Sequence, residues 1–221
     1  MRVAMLVGAA AAVLAAGSAE AMTCSTTMSI PTGIGSVSAS SIAAGTCVQA
    51  YDKLYGDFDF GNLPAATVLD FNMNAVATLV HQQLSFDSTY LSGTSYTFGY
   101  EVQIASNAMP GTLITGVDSD FSQTAGTSTL DKMLTPQGSS PIHEVKVGPV
   151  VQAGSTLSSD FNPGITDLVI SETLADGGTV SSVTNTVTET EPSRNTIPEP
   201  GTLALLGAGL AGLGALRRRR R

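Results

Sequence analysis

The sequence predicts a mainly β fold, a jelly-roll-like β-sandwich over residues 22–187, with a short apolar helix at each end of the chain. Three observations predict it. Apolar residues recur at every second position in several segments, the period of a half-buried strand. Those segments are separated by Gly, Pro, Asn and Asp, which punctuate strands and make turns. The body is rich in Ser, Thr and Gly, has no tryptophan and shows almost no helical periodicity, and only 13% of the whole chain is charged.

The strands follow in order. Leu69, Phe71 and Met73 alternate. Val76, Val80, Leu84 and Phe86 share a parity, with His81, Gln83 and Ser85 on the other. Tyr96, Phe98, Tyr100, Val102 and Ile104 form the clearest strand, and pairing with the preceding one across 87–95 is expected. A short helical turn is expected around Ser128–Leu134. His143, Val145 and Val147 form an apolar parity that ends at Gly148-Pro149. Ile165–Leu174 is rich in β-branched residues and leucine, a turn is expected at Asp176-Gly177-Gly178, and Val180–Val187 forms a last strand. Thr188–Ile197 reads as a linker of Thr, Glu, Pro, Ser, Arg and Asn. No internal repeat is visible, which disfavours a solenoid or propeller.

The two ends carry addresses. Arg2 is followed by an apolar run from Val3 to Gly17, then by Ala19-Glu20-Ala21. Positive start, apolar core and an A-x-A site make residues 1–21 a secretory signal peptide cleaved after Ala21. At the other end, Gly201–Leu216 holds only Gly, Thr, Leu and Ala. As a helix it would extend about 24 Å, short against a hydrocarbon core of about 30 Å. Arg217, Arg218, Arg219, Arg220 and Arg221 close the chain. Arginines that flank an apolar segment stay in the cytoplasm, so both ends demand one topology, with the body outside. Pro198-Glu199-Pro200 precedes the segment; its prolines favour extended backbone, the form a protease binds.

Pro198-Glu199-Pro200-Gly201, the run Thr202–Leu216 and the terminal arginines together resemble the PEP-CTERM sorting signal, over Ile197–Arg221. The stretches Cys47-Val48-Gln49, Asp52-Lys53-Leu54-Tyr55, Phe60-Gly61-Asn62-Leu63-Pro64 and Gly177–Asn185 are softer matches to the same family. The resemblance implies recognition of tail 198–221 by a membrane-embedded exosortase. It also implies a precursor tethered in the inner membrane, a final place at the cell surface or outside it, and the company of extracellular polysaccharide.

Composition narrows the partners. Once residues 1–21 are removed, the chain through Glu199 holds only Lys53, Lys132, Lys146 and Arg194 as cations, against 17 of the 18 acidic residues. Nucleic-acid affinity comes from neutralising phosphates, so this body is not a nucleic-acid binder. Divalent cations and neutral polysaccharide remain as partners. Cys24 and Cys47 enter an oxidising compartment, where a disulfide is expected, worth about 3 kcal/mol by loop entropy. A reduced metal-binding pair is the alternative, but two thiols without a histidine make a poor zinc site.

Catalytic signals are sparse. No Gly-x-Ser-x-Gly, His-Glu-x-x-His or phosphate loop occurs. The two histidines are His81, expected toward solvent, and His143, expected on the apolar parity. Asp57 with Asp59, and Asp118 with Asp120, alternate and can point the same way in a strand; they are the calcium candidates, since calcium takes carboxylate oxygens. No other cofactor is implied. Thr184, Thr186 and Thr188 alternate on what reads as a solvated edge strand. Tyr51, Tyr55 and Tyr90 lie off the core parity and are candidates for stacking on sugar. The expectation is a non-enzymatic surface or matrix protein. A secreted carbohydrate-binding module is the second reading and a secreted hydrolase the third, to be supported by a His143 bonded to both a serine and an aspartate.

Overall fold

The computed structural model describes residues 22–76 and 79–190. The chain there is almost entirely strand, with one short 3-10 turn at Ala39–Ser41. The strands are β1 (Thr26–Ile30), β2 (Gly35–Ser38), β3 (Thr46–Ala50), β4 (Lys53–Asp59), β5 (Val68–Val76) and β6 (Leu79–Asp87). They continue as β7 (Thr94–Ile104), β8 (Leu113–Thr135), β9 (Ile142–Val147), β10 (Val150–Val151), β11 (Ser158–Ile165) and β12 (Asp167–Thr190). No described helix is long and apolar enough to cross a membrane. The expected signal peptide and tail segment lie outside the described residues.

All twelve strands belong to one hydrogen-bonded sheet. Its spine is the antiparallel pair β8–β12, with strands of 23 and 24 residues. On one side, the first half of β12 pairs with β7 and the second half with β6. From β7 the sheet runs through β4 and β3 to β1, which lies parallel to β3; from β6 it runs through β5 to β2. On the other side, the second half of β8 pairs with β9 and the first half with β11.

This spine is folded over. On a straight strand, at about 3.4 Å per residue, residues 172 and 185 would lie about 44 Å apart. Instead Nδ2 of Asn185 donates to Oε1 of Glu172 at 2.6 Å. The fold falls where Gly126 opposes Gly178, next to register shifts at Gly178–Val180 and Val180–Ser182. Gly126 has φ +82°, and a Cβ there would lie 2.3 Å from the Gly178 Cα; one on Gly178 would lie 1.9 Å from the Ala125 carbonyl oxygen. Only glycine fits both sides of this corner. The expected turn at Asp176–Gly178 is therefore a bend within one strand, since both sides keep their ladder partners.

The two halves of the sheet face each other across an aromatic core. Phe86 of β6 lies 4.9 Å from Phe98 of β7 and 5.7 Å from Tyr100, and Tyr55 of β4 meets Phe71 of β5 edge-on at 5.2 Å. Hence the expected hairpin between β6 and β7 does not form. The connecting segment crosses the corner instead, where Ser88 and Gly93 donate to the Ser181 and Asp176 carbonyls. Each strand pairs with β12 and meets the other only through side chains.

Three further expectations change. Ser128–Leu134 is strand, part of β8, because β9 and β12 pair with it on both sides. Val76 belongs to β5 and not to β6. β12 continues through Thr190, past the expected linker start at Thr188, because Glu189 is drawn inside by Lys53 at 2.7 Å. Cys24 and Cys47 form the expected disulfide, which ties the residues before β1 to β3.

Candidate functional site

Two regions carry the chemistry: an outer sheet face and the polar interior. The outer face belongs to the half built from β2, β5, β6, β12, β8 and β11. Its register sets short polar side chains in rows. Asp70, Ser85, Thr184 and Asp120 lie side by side across four strands, then Asn72, Gln83, Thr186 and Asp118, then Asn74, His81 and Thr188. Such rows form because outward residues repeat every second position on each strand. Ser85 Oγ lies 2.9 Å from Thr184 Oγ1, and His81 Nδ1 lies 3.1 Å from Thr188 Oγ1. A shallow depression is lined by Asn72, Asn74, His81, Gln83 and Thr186.

Thr184, Thr186 and Thr188 thus stand on a central strand. The edge reading fails because β6 and β8 flank them. Acids crowd the same face. Asp87 is pushed up to about 6, chiefly by burial and then by its hydrogen bond to Asp70 and the charge there. Asp118 is raised by burial and by Asp160, against the opposing pull of His81. Asp120 gives its carboxylate to the Lys146 ammonium.

On the opposite outer face, Asp57 and Asp59 line a hollow with Thr97, Gly99, Glu101 and Ser171. Asp57 has φ +46°. Glu101 is raised chiefly by burial; Gln103, donating at 2.7 Å, opposes the rise, and Asp57 and Asp167 add to it. Among the described residues no three His, Cys, Asp or Glu side chains are placed to hold a metal ion.

The histidine expectations are only partly met. His81 is half-buried. His143 is exposed: Ile142, Glu144 and Lys146 face inward, and His143, Val145 and Val147 form the outer parity. The apolar parity misleads because Glu144 and Lys146 pair inside at 3.3 Å. His143 Nδ1 meets Asp131 Oδ1 at 2.5 Å, and its backbone bonds to Thr156. Among the described residues no serine is hydrogen-bonded to its ring. Tyr55 and Tyr90 are buried at 0% and 4% exposure, so neither offers a stacking platform. Burial pushes both phenols up. Tyr51 remains half-exposed.

The interior holds what sequence reading missed. All three lysines of the chain are buried: Lys53 with Asp52 and Glu189, Lys132 with Glu172 and Asn185, and Lys146 with Asp120 and Glu144. The signal was present, since Leu130-x-Lys132-x-Leu134 places Lys132 on an apolar parity. With arginines confined to residues 2, 194 and 217–221, the exterior of the described domain displays no lysine or arginine at all.

No curated protein and no solved structure matches this chain. A family model does match its end, at residues 196–221, as the PEP-CTERM protein-sorting motif. The chain carries a PEP-CTERM sorting motif. It is thereby an exported protein targeted to exosortase and processed at the membrane. Pro198, Glu199, Pro200 and Arg217–Arg221 of this motif, like Ala19 and Ala21 of the signal site, lie outside the described residues.

Proposed function

We propose that this PEP-CTERM protein is a non-enzymatic surface or matrix protein whose β domain associates with extracellular polysaccharide. Cleavage after Ala21 releases the body, residues 201–216 hold the precursor in the inner membrane, and exosortase acts near Pro198-Glu199-Pro200. The two facing halves of the folded sheet read as a jelly-roll-like sandwich. The observation that carries the functional reading is the outer face of Asn, Gln, Thr, Ser and Asp rows on a domain without surface cations. Such side chains donate to and accept from sugar hydroxyls, while the acidic exterior repels polyanions.

A secreted carbohydrate-binding module would use the same face, but the burial of Tyr55 and Tyr90 leaves only Tyr51 of its three aromatic candidates within reach of a ligand. The hydrolase reading is disfavoured because His143 holds Asp131 and, among the described residues, no serine. Co-sedimentation with polysaccharide from the native cells tests the proposal. The wild type is expected to pellet with the polymer, and Thr186→Arg, central on the polar face, to lose most of that retention. Equal retention of both would reject this face, and no retention of the wild type would reject the association.

A further inference from the structure

The three buried lysines differ in one respect. Lys53 meets only carboxylates, and Lys146 meets carboxylates, a backbone carbonyl and the Phe121 ring, groups that resist attack by an amine. Lys132 meets a carboxamide, which has a leaving group. Its Nζ contacts Oδ1 of Asn185 and lies 3.1 Å from Oε2 of Glu172. Glu172 closes the triangle, since its Oε1 accepts from Asn185 Nδ2 at 2.6 Å. One carboxylate therefore touches both the amine and the nitrogen that would leave.

The setting is dry. Lys132, Glu172 and Asn185 are 2%, 2% and 0% exposed. Phe98 and Ile142 flank Glu172 and Lys132 in their row, and Leu84 and Ser119 flank Asn185 in the facing one. Tyr100 places a buried hydroxyl with no partner in this core. Burial lowers the Lys132 ammonium from its ordinary range, against the pull of Glu172. Desolvation of this kind favours the free amine, the nucleophilic form.

We propose that the folded domain joins Lys132 to Asn185 by an intramolecular amide bond, with Glu172 carrying protons between them. One ammonium proton passes to Glu172, and the freed Nζ attacks Cγ of Asn185. Glu172 returns that proton to Nδ2, the Cγ–Nδ2 bond breaks, and the Cγ–Nζ bond remains. The second proton lost by Nζ leaves with the ammonia as ammonium. Atoms and charge balance, with Glu172 an ionised carboxylate before and after. No oxidant or co-reactant is needed, and the fixed geometry replaces an encounter between separate reactants.

The bond would tie β8 to β12 across the fold of their own ribbon. It would sit five residues before β12 ends at Thr190, on the side that leads to the sorting tail. A domain pulled through that tail would then bear load on a covalent cross-link.

The test is a peptide map of the exported full chain, reduced, denatured and digested with trypsin. A modified Lys132 resists cleavage. The expected product is residues 54–146 linked to 147–194, lighter than the sum of the two peptides by one ammonia, in nearly all molecules. Separate peptides 54–132, 133–146 and 147–194 at full mass would overturn the proposal. So would ammonia loss confined to an unlinked 147–194, which is succinimide formation at Asn185. Glu172→Gln keeps both joined residues and is expected to restore cleavage at Lys132; wild-type linkage in that variant would overturn the role of Glu172.

Discussion

Glu189 shows how a single residue can set the response of this domain to pH. It is buried at 0% exposure beside Lys53, Asp52 and Tyr55. Burial is the largest influence, and it pushes the carboxyl up to about 7, although Lys53 pulls the other way. A carboxyl with a raised folded value holds its proton more tightly when folded than when unfolded. Its contribution to stability is present below about 4.5 and is lost as pH rises through about 7. Urea denaturation is therefore expected to give a stability lower at pH 8 than at pH 5 by about 1–3 kcal/mol. Glu101 and Glu144, also raised by burial, act in the same sense. Lys53→Met at pH 8 leaves Glu189 without its cation and is expected to cost about 3–5 kcal/mol. At pH 5 the cost should shrink, because Glu189 can take a proton instead. Asp131→Ala, on the exposed partner of His143, should change stability by no more than about 0.5 kcal/mol.

At the scale of elements, the folded ribbon depends on its glycine corner. Gly178→Ala puts a Cβ against the Ala125 carbonyl, which has no room to move without breaking the ladder with Gly126. A loss of about 1–3 kcal/mol is expected in urea denaturation; an unchanged midpoint would mean that the corner relaxes freely. The edge strand β1 is held differently. It lies parallel to β3 alone, and the Cys24–Cys47 bond fixes its start. Cys24→Ser with Cys47→Ser is expected to cost about 3 kcal/mol and to raise hydrogen exchange in β1 before any other strand.

Across the whole molecule, the lysines are taken up by buried ion pairs and the remaining cations lie in the terminal segments of the sequence. The domain surface carries aspartates. Replacing Arg217–Arg221 with glutamine should remove the positive stop that, in the proposed topology, holds the tail inside. The expected result, by mass spectrometry of envelope and medium fractions, is a mature C-terminus no longer confined to the region of Pro198–Gly201. Identical termini in the wild type and the variant would show that the arginines have no part in sorting.

How much was legible follows from the range of each interaction. The tail motif, the charge contrast and the strands around Leu69–Met73 and Tyr96–Ile104 are local patterns, and the sequence alone determined them. The disulfide followed from there being only two cysteines in a chain bound for export. Tertiary structure decided the rest. His143 lies outside because Glu144 and Lys146 neutralise each other inside, and a parity count cannot see a pairing with Asp120 on another strand. The hairpin between β6 and β7 failed because β12 pairs with both strands, with β7 before the corner and with β6 after it, which holds them on different halves of the sheet. Lys132, Glu172 and Asn185 meet only after the ribbon has folded at Gly126 and Gly178, since strand geometry keeps residues 172 and 185 far apart until the chain bends.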